Sequence, residues 1–364
     1  MLDIKLKLKP GHRDPGDWMA PSPLRALFWN VTYRCNFHCP VCFSNAGAAE
    51  ANEMTTAQAR EFIRRVHALG VKSLILSGGE PFVRPDLLDL LRHMADLGIT
   101  ARIASNGSLL TDDLLRRLRE ETMTVSFMIN LDSLDPATYG AIHGTPPEAV
   151  SSAVTALRRV RAHGFHTTLA VRLLPATLRG IPDILDLAAA EDWRTLGLML
   201  PLPVGRTAGT FAPETDVIAM LEPVFEHFLS LPDHWLVETR VPWAEHHPLV
   251  QRFSGRIEFS HLGCRACRAS MAVQPSGRVS PCLCLDTPAT TLGNVLRDDL
   301  GAIFHDAPIA QMMRRPWEHG VCADCKHVTR CGAGCRAMAL ALTGRLHAPD
   351  PSCPLVRAAA AVRA

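Results

Sequence analysis

The chain has 364 residues, 47% of them hydrophobic, and its 38 basic and 36 acidic side chains leave a net charge of +2. That length suits one large domain with a smaller one. The balance of charge offers no single-sign field to grip nucleic acid or an anionic membrane. The N-terminal sequence MLDIKLKLKPGHRDPGDW has no apolar core of a secretion signal, and no stretch approaches the roughly 18 uncharged apolar residues of a membrane span. A cytoplasmic protein without nucleic-acid or membrane partners is expected.

Residues 1–26 are polar and rich in Pro and Gly, and read as an N-terminal arm. Apolar or β-branched runs then recur at Ala26–Tyr33, Val71–Leu76, Ile99–Ala104, Thr124–Leu131, Thr167–Leu173 and Leu196–Leu200. Helical patterns fall between and after them. Thr55–Leu69 carries Phe62, Val66 and Leu69 at helical spacing, and Pro85–Leu97 opens with a proline suited to a first turn. Thr111–Glu120 opens on Thr-Asp-Asp, a cap followed by acids that suit the positive helix end. Ala149–His163, Ile181–Glu191 and Thr215–Phe228 complete the series. Strands that each precede a helix predict an α/β fold with a parallel sheet and right-handed crossovers. Six such units over residues 27–229 suit a curved, partial (β/α)6 barrel. Residues 230–261, with Pro232, Pro242 and Pro248, read as a bridge. Residues 262–364 form a cysteine-rich segment with little apolar core, which needs support other than apolar burial.

The cysteines are unevenly placed. Three of the twelve lie between positions 35 and 42, none in the next 221 residues, and nine between 264 and 353. Without an export signal, disulfides are not the expected use, because the cytosol keeps thiols reduced. Clusters spaced by two to five residues point to metal. The first cluster, Cys35, Cys39 and Cys42, follows the first strand directly as C-x3-C-x2-C. A loop at the C-terminal end of a barrel strand is where such folds place their chemistry. Three thiolates can hold three irons of a [4Fe-4S] cluster and leave the fourth open to another ligand. A structural zinc site takes four protein ligands, and only His38 lies near enough in sequence to be one.

This motif resembles that of the radical S-adenosylmethionine (SAM) superfamily. Ser77-Gly78-Gly79-Glu80-Pro81 after the second strand is similar to the family's GGEP element, which binds the amino group of SAM. Ser105-Asn106-Gly107 after the third strand is similar to the family's SNG. Asn130 and Asp132 close the fourth strand in the position of the family's Ser-x-Asp, with Asn in place of Ser. Arg172 ends the fifth strand, within expected reach of the SAM carboxylate. The resemblance implies reductive cleavage of SAM to a 5′-deoxyadenosyl radical that abstracts a substrate hydrogen. The cofactor carries the difficult chemistry, and the protein supplies orientation, potential and exclusion of water. A flavodoxin- or ferredoxin-type electron donor is implied as a partner.

The C-terminal cysteines resemble the SPASM extension of such enzymes, which holds two auxiliary clusters and brings the implied total to three [4Fe-4S] clusters. Carried over by position, the second auxiliary cluster takes Cys322, Cys325, Cys331 and Cys353. The first takes Cys267, Cys282 and Cys335, with Cys264 as the simplest fourth ligand. One thiol is then left over, Cys284 or Cys264. Sulfatase-maturing relatives place an Asp base after the cysteine that matches Cys282, whereas this chain has Leu283. A leftover thiol facing the substrate can return a hydrogen atom to a carbon radical. Cys284 is the first candidate for that donor and Cys264 the second.

Two substrate classes follow. One is a small natural product, epimerised or oxidised at carbon. The other is a ribosomally made peptide that gains a thioether, a C–C crosslink or an epimerised residue. With about 25 residues ahead of the barrel, a separate peptide-recognition protein would serve the second. Pro201–Arg206 resembles a Pro-x-Gly-Arg element shared by several SPASM branches and separates neither class. A non-catalytic electron-transfer protein is a third reading, and the GGEP element argues against it. His246, His247, His261 and His305 are read as surface or hydrogen-bonded residues rather than as acids or bases.

Overall fold

The run Ala26–Thr32 alternates, and Leu27, Trp29 and Val31 are fully buried on one face. The helix Thr56–Ala68 covers that face with Phe62, Ile63 and Val66, and the Trp29 and Phe62 rings meet edge to face at 5.1 Å. Each such side chain contributes about 1.5–3 kcal/mol through burial. Thr55 and Gln58 form a reciprocal capping box that starts the helix. The same strand-then-helix logic repeats along the chain in the computed structural model. It describes residues 2–5, 23–121, 123–208, 219–231, 236–239, 248–253, 258–261, 264–315 and 320–361.

The strands are β1 (Leu2–Lys5), β2 (Ala26–Thr32), β3 (Ser73–Gly78), β4 (Thr100–Ser105), β5 (Val125–Asn130), β6 (Thr167–Arg172) and β7 (Thr195–Met199), then β8 (Leu236–Thr239), β9 (Glu258–His261), β10 (Ser270–Val273), β11 (Arg278–Ser280) and β12 (Gly293–Asn294). The helices between them are α1 (Thr56–Ala68), α2 (Leu87–Asp96), α3 (Asp112–Glu120), α4 (Pro136–His143), α5 (Ala149–Ala162), α6 (Pro175–Leu178), α7 (Ile181–Ala190) and α8 (Glu222–Phe228). The six expected strands are β2 to β7, all parallel, and the fold is the α/β partial barrel the sequence predicts.

The sheet extends beyond those six strands on both sides. Its order is β12-β11-β10-β2-β3-β4-β5-β6-β7-β8-β1-β9. β8 lies in the segment read as a bridge and pairs in parallel with β7. β1 comes from the N-terminal arm and pairs antiparallel with both β8 and β9. On the other side β10, from the cysteine-rich segment, pairs in parallel with β2. That segment is therefore joined to the barrel through the sheet. His246, His247 and the start of the helix read over Thr215–Phe228 lie outside the described residues. Among the described residues, no helix is long and apolar enough to cross a membrane.

Parallel strands bring their C-terminal ends to one edge. The loops after β2, β3, β4, β5, β6, β7 and β10 all emerge there. They carry Cys35–Cys42, Gly79–Glu80, Asn106, Asp132, the segment after Arg172, Pro201–Arg206 and Gln274.

Candidate active site

None of the twelve cysteines is joined in a disulfide. The loop of Cys35, Cys39 and Cys42 leaves β2 and is closed by backbone hydrogen bonds, Cys35 N to Gly47 O at 3.0 Å and Gly47 N to Tyr33 O at 2.8 Å. Burial pushes the Cys35 thiol up to about 11, and the neighbouring Glu80, Cys39 and Cys42 push the same way. Burial also raises Cys39, while the Arg172 guanidinium pulls it back. Iron ligation would relieve this crowding, because bound thiolates share their charge with the metal.

The glycines after β3 let that loop pack closely. A Cβ on Gly78, whose φ is +124°, would stand 2.2 Å from Thr32 O, and one on Gly79 would stand 2.0 Å from Arg34 O. The backbone runs there as a short ladder, with Gly79 N donating to Thr32 O and Glu80 N to Arg34 O. Glu80 is fully buried and its carboxylate is well satisfied. It accepts from Ser105 Oγ at 2.9 Å, Asn106 N at 2.8 Å and Phe82 N at 3.2 Å. Burial raises it to about 7 against those hydrogen bonds. Glu80 thus ties the end of β3 to the end of β4. Asn106 in turn donates to Asn36 Oδ1 at 2.9 Å, beside Cys35. Ser77, Gly78, Gly79, Glu80, Ser105 and Asn106 are brought together against the first cysteine loop. Asn130 ends β5 half-buried.

Asp132 and Arg172 meet each other. Asp132 is fully buried, and its carboxylate accepts from Arg172 N at 2.6 Å, Arg172 Nε at 3.0 Å and Arg172 NH2 at 2.5 Å. The guanidinium and a third group, His143, hold Asp132 well below the usual carboxylate range despite its burial. His143 Nε2 lies 2.9 Å from Asp132 Oδ2, and its Nδ1 faces Cys39 Sγ at 3.8 Å. The side chains expected to contact SAM, Asp132 and Arg172, are thus engaged with each other in an ion pair. The sequence reading passed over His143. The local signal was the pair of helix stops around it: Asp135 caps α4, Pro136 opens it, and Gly144 closes it in the left-handed conformation.

The Pro-x-Gly-Arg element reaches the same loop from β7. Arg206 donates from Nε to Cys39 O at 2.7 Å, from NH1 to Ala46 O at 2.7 Å, and from its backbone N to Cys42 O at 2.9 Å. Gly205, at φ +61°, sits where a Cβ would be 2.4 Å from Phe43 O and 2.6 Å from Cys42 O. Arg206 is a clamp on the cysteine loop. Arg206→Lys keeps the charge and loses the fork, at about 1.5–3 kcal/mol for each charged hydrogen bond lost. The expected result is loss of about four irons per chain with the remainder kept. Iron analysis with electron paramagnetic resonance (EPR) checks it, and a variant with full iron and full turnover would show the clamp to be dispensable.

The C-terminal thiols fall into two groups. Cys322, Cys325, Cys331 and Cys353 line one apolar pocket together with Val321, Val328 and Val356. These are the four ligands expected for the second auxiliary cluster, and a pocket walled by four thiols fits such a group. Cys267 is buried in a second apolar cluster, with Cys264, Cys282, Cys284 and Cys335 packed against it. A hydrogen bond between Cys282 and Cys284, together with burial, raises the Cys282 thiol well above its usual value. Five thiols thus gather where four ligands are expected for the first auxiliary cluster. Between the two domains, Tyr33 donates to Gln274 Oε1 at 2.7 Å and Asp286 Oδ2 at 3.2 Å, and Asp286 is held by Arg278.

A family model described as the radical SAM superfamily matches residues 29–188, and one described as an iron-sulfur cluster-binding domain, SPASM, matches residues 264–326. The AdoMet-dependent heme synthase of Methanosarcina barkeri is 27% identical, over 90% of this chain and 96% of its own. The mycofactocin maturase MftC of Mycobacterium tuberculosis is 29% identical, over 90% of this chain and 82% of its own. The PqqA peptide cyclase of Gluconobacter oxydans is 29% identical, over 92% of both chains. Among solved structures, Streptococcus suis SuiB bound to S-adenosylmethionine shares the fold, with a TM-score of 0.74 at 19% identity over 92% of this chain and 78% of that one. The chain belongs to the radical SAM superfamily, in the branch with a C-terminal SPASM domain, and its cofactors are SAM, a SAM-binding [4Fe-4S] cluster and auxiliary iron–sulfur clusters.

Proposed function

We propose that this radical SAM enzyme matures a ribosomally made peptide, forming a crosslink or altering a residue at carbon. The observation that carries the reading is the likeness to the PqqA peptide cyclase, which spans barrel and SPASM domain alike over 92% of both chains. The small-product epimerase or dehydrogenase suggested by the sequence has less support than this. A second reading, side-chain chemistry on an iron tetrapyrrole, is favoured by the likeness to the heme synthase over 96% of that protein.

When bound, the cluster and SAM supply abstraction of a hydrogen atom from an unactivated carbon. In this reading the chain's residues build the frame for that step. Cys35, Cys39 and Cys42 hold the SAM-binding cluster. Glu80, Asn36 and Asn106 fix the loops around it, and Arg206 clamps the cysteine loop from behind. Tyr33, Gln274 and Asp286 set the distance from that loop to the segment of Cys282 and Cys284.

The test is anaerobic reconstitution with SAM and dithionite, in D2O, against a translated library of short peptides and against iron tetrapyrroles. The expected result is 5′-deoxyadenosine formed only with peptide. A peptide lighter by two hydrogens marks a crosslink, and one that gains a single deuterium marks epimerisation. Turnover with a tetrapyrrole and none with peptides would overturn the proposal.

Cys284 serves in this account as the thiol outside the ligand sets. Cys284→Ala is expected to keep about twelve irons and to cleave SAM, but to give a diverted product. Loss of about four irons in that variant would make Cys284 a ligand and free Cys264 instead.

A further inference from the structure

The turn after β7 touches both cysteine regions, and the clamp at Arg206 accounts for only one end of it. Before Arg206 in the chain, Leu202 packs against the apolar cluster around Cys267, as Cys264, Cys282, Cys284 and Cys335 do. At the other end, Arg206 holds Cys39 O, Ala46 O and Cys42 O through its side chain and backbone. Residues 202–207 thus reach from the thiols of the first auxiliary site to the carbonyls of two cysteines in the C-x3-C-x2-C loop.

The turn is stiff. Pro201 and Pro203 fix φ at two positions. Gly205 stands at φ +61°, where a Cβ would meet Phe43 O at 2.4 Å. Thr207 is 2% exposed, and its hydroxyl closes the turn on itself. That hydroxyl donates to Leu202 O, has Val204 O at 2.5 Å as a second acceptor, and accepts from Val204 N at 3.3 Å. The segment after Cys282 is stapled in the same way. Thr290 Oγ1 donates to Leu285 O at 2.5 Å and accepts from Thr287 N at 3.2 Å, and Leu285 lies in the apolar cluster that Leu202 packs against. Close-packed interiors of this kind transmit strain. Two sites joined by one packed element can influence each other, and such an influence on binding runs equally in both directions.

We infer that residues 202–207 form a strut that couples the two cysteine sites. Leu202 and Thr207 are its positioning residues: through them, the packing of the first auxiliary site keeps the loop of Cys35, Cys39 and Cys42 in the shape that retains iron. The inference goes beyond the peptide reading and does not depend on the substrate. It rests on the proposed ligand sets.

The test is the loss of iron from the anaerobic, fully loaded protein to excess EDTA. EPR follows the signal that changes when SAM is added to samples drawn in time. Leu202→Ala, at the auxiliary end of the turn, is expected to speed loss of this SAM-responsive signal about fivefold or more, the lower end of usual couplings between sites. Thr207→Val should do the same, and Thr207→Ser, which keeps the hydroxyl, should restore the parent rate. Cys267→Ala should also speed the loss, and adding Leu202→Ala to it should bring little further change, because both act through one path. Leu202→Ala and Thr207→Val keep every thiol, so they test the strut even if Cys267→Ala does not fold. Parent rates in Leu202→Ala and Thr207→Val would overturn the inference and leave the two sites independent. Effects of Leu202→Ala and Cys267→Ala that multiply would overturn it too, since they would then act separately. Retention of the SAM-responsive signal in Cys39→Ala would overturn the ligand assignment and the inference with it, whereas loss of that signal with parent rates in Leu202→Ala overturns the inference alone.

Discussion

Replacing Cys35, Cys39 and Cys42 together by Ala is expected to remove about four irons per chain and to abolish SAM cleavage, while the remaining irons stay bound. The separation follows from the fold. The three thiols sit on one loop after β2, held by Gly79, Glu80 and Arg206. The other nine lie at 264 and beyond. No ligand is shared between the two regions in this assignment. The loop is fixed mainly by its backbone, through Cys35 N to Gly47 O and Cys42 N to Cys39 O, so removing three thiols leaves those bonds in place. The triple variant should therefore fold, and its circular dichroism should match that of the parent. Iron and sulfide analysis with a 5′-deoxyadenosine assay checks the expectation. Residual SAM cleavage in the variant would place the site elsewhere.

The second large effect is expected at the other end of the chain. Cys353→Ala should lower the soluble yield as well as the activity, and Cys322→Ala should do the same. Both thiols are buried, Cys353 at 9% and Cys322 at 7% exposure, and with Cys325 and Cys331 they wall one pocket. The helices that line it are short: Val328–Cys331 has four residues and Pro354–Ala361 eight. Polar bonds already hold what they can. Asp350 accepts from Cys335 N at 2.7 Å and Ser352 Oγ at 2.6 Å, and Arg336 donates to Ala348 O at 2.7 Å. Structural metal sites supply on the order of 10 kcal/mol to small domains, against a typical domain stability of about 5–15 kcal/mol. Losing one ligand thus removes a large part of what keeps this segment folded. Because β10 of the same domain pairs with β2, the damage should reach the barrel. Soluble yield, iron content and a thermal melt measure this. A soluble variant with full turnover would show that the second auxiliary cluster is dispensable.

The barrel was legible because each unit carries its own signals. Trp29 alternates with Leu27 and Val31, Thr111 caps α3 through Leu114 N, and Pro and Gly mark the turns. The cysteine sites were legible because metal ligation imposes spacing on the chain. What escaped depends on distance along it. β8 and β1 are four residues each, and they are strands only because β8 pairs with β7 and β1, and β1 with β8 and β9. α4 has no continuous apolar stripe, so only its caps announce it, and His143 at its end went unread. Arg206 touches Cys39 and Ala46 from at least 160 positions away, which no local pattern can show. Asp132 and Arg172 were both noted as candidates, but their mutual ion pair is a property of adjacent strand ends.

The most direct test of the three-cluster account is the metal content of the wild-type chain, purified and reconstituted without oxygen. Iron and acid-labile sulfide should each approach about twelve per chain, with one of three EPR signals changing when SAM is added. Stoichiometric zinc with no sulfide, or iron that never responds to SAM, would contradict it.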